Sequence, residues 1–449
     1  MRGRVETGRA ASVRGTAMAG MLLVAAGGVQ ADTLRVPGEY ATIQQAIDAS
    51  VNGDKIVVSD GVYTGDGNRD VDFGGRAITV KSARGSAGCV IDCQGTQQNP
   101  HRGFRFGSGE GPDSVLEGFT ILNGTTETGA VDDRFNGGGI LVTNASSPTI
   151  RNMVIRNTSA ACWGGAICCS HFSNPTIESC TLIDNTVGDD GGGVFAWNGS
   201  RPVVVNSLIA GNVSDVTGGG ITVFDSGATI INCTIVNNTA PYGSGMLDAS
   251  SNSVVANTII RGNLDGNQVW GNPQITFSNV EGGFTGSGNI NADPMFADAA
   301  SGDFRILSGS PCSDAGNSSA VPSNLLSDLS GMARFMDDSQ RQDSGIGPYP
   351  IVDIGAYENQ GGPPCNGAER IASSTCRLRG DSHSLRVKLK GGTPQDAFVV
   401  LLSSGETAYG SLNQRGAGKA RFRSLSGDER SVEAVWGCGA RDTAAYSCP

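Results

Sequence analysis

Five glycine clusters recur at nearly constant spacing through the middle of the chain: Gly137-Gly138-Gly139-Ile140, Gly164-Gly165-Ala166-Ile167, Gly191-Gly192-Gly193-Val194, Gly218-Gly219-Gly220-Ile221 and Gly243-Ser244-Gly245-Met246. They begin 27, 27, 27 and 25 residues apart. Two further series keep step with them: Asn152, Ser179, Asn206, Asn232, Asn257 and Asn157, Asn185, Asn212, Asn238, Asn263. Three registers running together over five repeats restrict the chain to a repeat architecture, in which each unit buries its apolar face only against its neighbours.

Each repeat holds short β-branched runs, such as Thr149-Ile150, Val203-Val204-Val205 and Thr229-Ile230-Ile231, with Asn or Gly where the chain must turn. Short strands joined by turns at one period make a coil. A leucine-rich repeat shares the period, but its leucine consensus is absent. Asparagine tolerates left-handed backbone, and its amide can reach the equivalent amide about 4.8 Å away on the next rung, so both Asn series read as turn ladders. Strand alternation then assigns the faces. Ile140, Ile167, Val194, Ile221 and Met246 point inward, as do Val142, Cys169, Ala196 and Val223. Leu141, Cys168, Phe195 and Thr222 point outward, followed by Thr143, Ser170, Trp197 and Phe224.

The sequence therefore predicts an all-β chain, a right-handed parallel β-helix solenoid with an N-terminal capping helix and a small C-terminal β-sandwich. Thr42 and Gln45 form a capping box for the helix, whose Ile43, Ala46 and Ile47 share one face. Strands are expected at Lys55 to Val58 and Ala77 to Val80. The stretch from Asn291 to Glu358, rich in Asp, Ser and Pro, reads as the last irregular rungs plus a terminal cap.

Arg2, Arg4, Arg9 and Arg14, the apolar run Ala17 to Val29 and the small-x-small site at Val29-Gln30-Ala31 read as a signal peptide over 1–31. Thirteen residues interrupted by glycine fall short of the roughly 20 that span a bilayer, so no membrane span is expected. The β-helix with its caps is assigned to 32–360, a Gly-Gly-Pro-Pro linker to 361–364 and the sandwich to 365–449. Removing the leader takes the net charge from −11 to −14. The tail from Cys365 carries twelve Lys/Arg against eight Asp/Glu, which leaves about −18 on 32–364. So acidic a solenoid repels nucleic acid and anionic membrane surfaces.

Twelve cysteines in an exported chain read as disulfides rather than metal ligands. Cys365, Cys376, Cys438 and Cys448 predict two bonds within the tail, with three pairings open. The pairing of the other eight, Cys89, Cys93, Cys162, Cys168, Cys169, Cys180, Cys233 and Cys312, is not given by spacing. Alternating runs at Leu385 to Lys390, Ala397 to Leu402, Lys419 to Leu425 and Val432 to Gly437 give the tail its half-exposed antiparallel strands.

The stretch from Tyr40 to Gly65, YATIQQAIDASVNGDKIVVSDGVYTG, resembles the opening of pectin-lyase-like parallel β-helix proteins. Asn291 to Asn317, NADPMFADAASGDFRILSGSPCSDAGN, and the closing VDIGAYE from Val352 to Glu358 resemble the end of bacterial right-handed β-helix surface proteins. The GGAI and GGGI clusters, with tetrads such as Leu182-Ile183-Asp184-Asn185, are similar to the repeats of polymorphic outer-membrane adhesins. These likenesses run from Tyr40 to Glu358. They imply a fold and a surface or secreted location, and fold alone does not give function. The 85 residues after Pro364 are too few for the adhesins' membrane barrel. The tail resembles immunoglobulin-like accessory modules in pattern.

Many pectin-lyase-like chains cut polysaccharides, and hydrolysis on this fold needs carboxylates on neighbouring rungs, one acid and one base. Asp189 and Asp190 before Gly191, with Asp215 before Gly218, are the candidates, expected to approach about 5 Å across one rung. The Gly188-Asp189-Asp190-Gly191 string is similar to polygalacturonases, but no His-Gly pair or Arg-Ile-Lys follows it. No basic residue stands among acid clusters on the central rungs, as a lyase would need. Asp before Gly is also an ordinary turn choice. His171 reads as a solvated turn residue, and Asp132-Asp133 and Asp337-Asp338 as loop acids, with calcium binding the alternative. No other cofactor is expected.

The expected function is that of a secreted or cell-surface, non-catalytic monomer that binds a polysaccharide or cell-envelope component. Trp197, Phe224 and Phe195 are the candidate ligand-binding residues, since exposed aromatics on one flank need a cover, whether a sugar chain or a loop of the same chain. The alternatives are a polysaccharide lyase or glycoside hydrolase with a divergent site, and a structural stalk.

Overall fold

The structure, a computed structural model, describes residues 31–128, 136–338 and 341–360, and in the tail 368–379, 382–392, 397–403, 407–425, 430–436 and 441–448. The leader up to residue 30, the linker, Cys365, Cys438, Asp132 and Asp133 lie outside the described residues. Three long parallel sheets wind through the coil, with ten, eight and nine strands, and a short three-stranded sheet lies beside them. Ile140, Ile167, Val194, Ile221 and Met246 pair in one column of the eight-stranded sheet, in the register set by the glycine period. That column and its counterparts Ile150, Ile177, Val204, Ile230 and Ile155, Leu182, Ile209, Ile235 fill a continuous interior. Each aliphatic side chain buried there is worth roughly 1.5–3 kcal/mol.

The glycines are needed because the chain doubles back over its own strand. Gly164 holds φ +69°, and a Cβ there would lie 2.6 Å from the Ile167 carbonyl oxygen and 2.8 Å from Cys168 Cα. Any other residue would be strained in backbone and in space.

The asparagines divide the labour differently from expectation. Asn152, Ser179, Asn206, Asn232 and Asn257 all take positive φ at the corner between two sheets. In the other series, the corner falls one residue earlier, on Asn157, Asp184, Gly211, Asn237 and Gly262. The ladder itself is Thr158, Asn185, Asn212, Asn238 and Asn263, so Asn157 makes a turn and Thr158 takes the ladder position. Asn185 Nδ2 donates to Asn212 Oδ1 (2.9 Å), Asn212 Nδ2 to Asn238 Oδ1 (2.9 Å) and Asn238 Nδ2 to Asn263 Oδ1 (3.0 Å). In this second series left-handed geometry and ladder bonding thus belong to neighbouring residues, whereas in the first the corner residues themselves bond, Asn206 Nδ2 donating to Ser179 Oγ (2.9 Å) and Asn257 Nδ2 to Asn232 Oδ1 (3.3 Å).

Ile43–Ala49 forms the capping helix, with Thr42 accepting from the Gln45 amide and Ile43, Ala46 and Ile47 buried on the first rungs. The far stretch does not cap the other end. After the last rung, near Ile290, the chain turns back along the outside of the coil. Phe304, Ile306, Cys312, Ala315 and Ile354 pack on the outward Leu208, Ala210, Val236 and Ile259. Val321, Leu325, Leu326, Phe335, Met336 and Val352 pack on Val205, with Val203 and Ile231 beside it. The corner asparagines are the docking edge: Asn206, Asn232 and Asn257 donate to the carbonyls of Ser327, Asp353 and Asn317. Outward aliphatics on two sheets supply the reason, since a face that apolar must be covered.

The tail forms two antiparallel sheets of three and four strands. Leu385, Val387 and Leu389 from one, and Phe398, Val400, Val432, Ala434 and Trp436 from the other, close one core separate from that of the coil. Cys376 and Cys448 are bonded, with Cα atoms 5.0 Å apart and a sequence separation of 72. A closed loop of that length stabilises by up to about 4 kcal/mol. By elimination Cys365 should pair with Cys438. Peptide mapping of non-reduced protein should return those two linked peptides, and any other partner for Cys365 would refute the assignment.

Disulfides do not extend to the coil as expected. Cys89, Cys93, Cys169, Cys180, Cys233 and Cys312 are buried thiols. Burial pushes the thiols of Cys89, Cys180, Cys233 and Cys312 up to about 12, so they stay protonated and unreactive. Cys180 and Cys233 also belong to a ladder of polar interior residues. The Cys180 amide donates to Ser207 Oγ (3.1 Å), the Cys233 amide to Thr258 Oγ1 (3.3 Å) and the Thr258 amide to Ser278 Oγ (3.1 Å). Two rungs separate these cysteines, too far for a bond.

Among the described residues no helix is long and apolar enough to cross a membrane.

Candidate functional site: an aromatic flank and its neighbouring acids

The outer face of the eight-stranded sheet carries the aromatics. Trp197 pairs with Phe224 one rung on, as strand parity requires. Phe195 stands beside Trp197 in sequence but is not a surface residue, being 2% exposed. Its cover is Trp163, stacked on it at 5.1 Å between centroids and 13° between planes. Trp163 reaches that position because Gly164 folds the turn back over the strand. Trp197 leans on the same indole at 4.9 Å, and the His171 ring meets Trp197 edge-on at 5.5 Å. His171 is thus a turn residue as expected, at φ 54°, but half-buried beside the Thr143 and Ser170 hydroxyls rather than solvated.

Phe195, Trp163, Leu141 and Cys168 therefore form an outer apolar cluster, with Trp197 half-buried at its rim. Phe224 is 45% exposed, and Trp270, in the column that runs Phe195, Thr222, Leu247, Trp270, is 44% exposed. Trp163 and Trp270 escaped the sequence reading. Trp163 lies in a turn outside the strand parity, and Trp270 lies after the glycine register fades. Its one β-branched neighbour, Val269, is too little to mark a strand.

The acids are brought near one another but not paired. Trp163, Asp190, Thr217 and Tyr242 align on successive rungs. The Asp190 neighbour is therefore Thr217, whose hydroxyl donates to Asp190 Oδ1 at 2.5 Å. Asp215 is set two residues away and stacks on Gly188, its amide donating to the Val187 carbonyl. Burial raises both Asp189 and Asp190, and the Asp189 charge raises Asp190 further. The Asp215 carboxylate is exposed, at the edge of a groove of about 490 Å³ lined with Thr125, Thr126, Ser159 and Thr186. The register thus sets Thr217, not Asp215, opposite Asp190.

A second acid group sits where residues 291–360 double back. Arg334 and Glu358 form a fully buried ion pair at 3.1 Å. Asp353 accepts from the amides of Asp314 and Asn359, and burial pushes it up to about 7. Burial, with the charges of Asp353, Asp337 and Asp343, pushes Asp314 up to about 8. Carboxylate oxygens of Asp314, Asp337 and Asp343 all lie within 4.8 Å of one another. Asp338 turns away and accepts from Asn359 Nδ2 at 2.9 Å.

The parallel coil, its glycine-turn period and its inward aliphatic columns define a right-handed parallel β-helix repeat protein. The family described as "Right handed beta helix region" matches residues 49–214. Two solved structures are similar over most of the chain. One is the pectate lyase Pel9A, 13% identical, covering 74% of this chain and 98% of its own, with a TM-score of 0.35. The other is XylC in complex with xylose, 9% identical, covering 88% and 100%, with a TM-score of 0.25. No curated protein matches the sequence.

Proposed function

We propose that this protein is exported and acts without catalysis, holding a polysaccharide against the outer face of its eight-stranded sheet. The observation that carries the reading is the pair Trp197 and Phe224. They occupy one column on consecutive rungs, the second 45% exposed and the first backed by Trp163. Flat apolar rings about one rung apart suit the apolar faces of successive sugar units, and aromatic surfaces of this kind are rarely left uncovered. The tail disulfide and the leader support export. The offset of Asp215 from Asp190 supports a binding role over hydrolysis.

Affinity electrophoresis through a panel of acidic and neutral polysaccharides tests the proposal. Wild-type protein should be retarded by at least one polymer. Phe224→Ala should lose most of that retardation with an unchanged Tm. Trp197→Ala should lose it too, and cost about 1–2 kcal/mol for the broken contacts with Trp163 and His171. Retention by the Trp197→Ala/Phe224→Ala double variant equal to wild type would overturn the site. Release of shortened or unsaturated sugars would overturn the non-catalytic role.

A further inference from the structure

We infer that Asp314, Asp337 and Asp343 form a calcium site that ties together the two parts of the doubled-back segment 291–360 that pack on adjoining faces of the coil. The three carboxylates supply oxygens within 4.8 Å of one another. Calcium binds oxygen at 2.3–2.6 Å, so two ligands of one ion stand up to about 5 Å apart, and three oxygens within 4.8 Å of one another are close enough for a single ion to gather.

A second, independent observation points to a ligand. Asp314 is 0% exposed, and its two oxygens are used unequally. Oδ2 accepts from the Asp338 amide at 3.1 Å, whereas Oδ1 is buried without any hydrogen-bond partner. Such an orphan is costly unless a proton or cation reaches it. Asp314 cannot turn away from the cluster, because its backbone is fixed on all sides. Its amide donates to Asp353 Oδ1 at 2.8 Å, and its carbonyl accepts from the amides of Ser344 and Gly345, each at 2.9 Å. Asp343 stands next to that grip and closes the group from the loop.

The chemistry selects the ion. Three carboxylates and no nitrogen or sulfur donor make a hard-oxygen set, which suits calcium or magnesium and not zinc or copper. One ligand is buried, one half-exposed and one exposed, so the group lies at the surface, where water can complete the six to eight positions calcium takes. Magnesium demands a tighter octahedron and gives up water reluctantly, so it should bind more weakly. The position gives the ion a task. Asp314 lies between Cys312 and Ala315, which pack on the outer sheet, and Asp337 follows Phe335 and Met336, which pack on the neighbouring face. One ion joining them locks both contacts.

The test uses the full chain, stripped with chelator and titrated with calcium chloride by calorimetry while thermal melting is followed in parallel. Saturable one-site binding and a Tm that rises with calcium are expected, with magnesium at least tenfold weaker. Asp343→Asn removes one of three like charges at an exposed side chain and should not lower the calcium-free melt while weakening calcium binding at least tenfold. Asp314→Asn should abolish the calcium-dependent rise. No heat and no Tm change up to millimolar calcium would overturn the site, as would an Asp337→Asn/Asp343→Asn variant that binds calcium as tightly as wild type. Neither result depends on whether the aromatic flank binds sugar.

Discussion

Replacing Arg334 with Met should cost about 3–5 kcal/mol and free the doubled-back segment before the coil itself unfolds. Arg334 is fully buried. Its Nη1 donates to Glu358 Oε2 and the Gly355 carbonyl, both at 3.1 Å, and its Nη2 donates to the Ala356 carbonyl at 2.6 Å and to Asn206 Oδ1. The guanidinium therefore joins a corner of the coil to the end of the segment that covers it. Methionine would fill much of the same volume but leave Glu358 without its counter-ion beside Asp353. Burial already raises Glu358 well above the ordinary carboxylate range, and the Asp353 charge raises it further. Breaking a buried pair from one side is costly because the other charge remains, whereas removing both charges is often close to neutral. Arg334→Met/Glu358→Leu should accordingly recover part of the loss. Lysine should not rescue, since one ammonium cannot replace a planar fork with four partners. Limited proteolysis read by mass spectrometry would show the first cuts between 291 and 360, at urea concentrations where the coil stays closed. An Arg334→Met protein with wild-type stability and wild-type cleavage would refute the role given to this residue.

The sequence was most legible where a property repeats. The glycine period reports the rung, because a turn that doubles back over its own strand admits glycine alone, as at Gly164. The aliphatic that follows reports the inside, because alternation leaves it no other direction, and the Ile140 to Met246 column pairs as read. Exchange of roles between adjacent residues was harder to read. Asn157 and Thr158 can each turn or bond, and only the backbone decides that Asn157 takes positive φ while Thr158 donates to Asn185. The same one- or two-residue offset separates Asp215 from the rung position of Asp190. Segment 291–360 was least legible. Its contacts with the coil reach across separations from 60 residues, as from Asn257 to Asn317, to 128, as from Asn206 to Arg334, and carry no period. The aromatic flank lies between these cases. Parity placed Trp197 and Phe224, but the residue that covers Phe195 comes from a turn.

The ladder inside the coil should show the other large effect, with Asn212→Ala costing about 3–5 kcal/mol. Asn212 is fully buried, and every polar atom of its side chain is engaged. Oδ1 accepts from the Asn185 amide (3.1 Å) and Asn185 Nδ2 (2.9 Å), while Nδ2 donates to Asn238 Oδ1 and the Leu182 carbonyl, both at 2.9 Å. Alanine would remove all four bonds, leaving the Asn185 amide and the Leu182 carbonyl buried without this partner and Asn185 Nδ2 with only its bond to the Ile155 carbonyl. Each such orphan costs about 1–3 kcal/mol, partly relieved by whatever local relaxation the stacked rungs allow. Aspartate would be no better, because it keeps the acceptor but loses both donors and introduces a charge facing Asn238 Oδ1. The end of the ladder provides the internal comparison. Thr158 has only its hydroxyl in the stack, whose one hydrogen is shared between Asn185 Oδ1 at 2.8 Å and the Gly165 carbonyl at 2.6 Å, so Thr158→Ala should cost less than half as much. If bonds along the ladder reinforce one another, Asn185→Ala/Asn212→Ala should fall short of the sum of its parts, since the second loss breaks bonds already broken by the first. Urea midpoints for the four variants decide it. Equal losses at Thr158 and Asn212, or a loss under about 1 kcal/mol at Asn212, would mean that the coil is held by its apolar columns and backbone ladders alone.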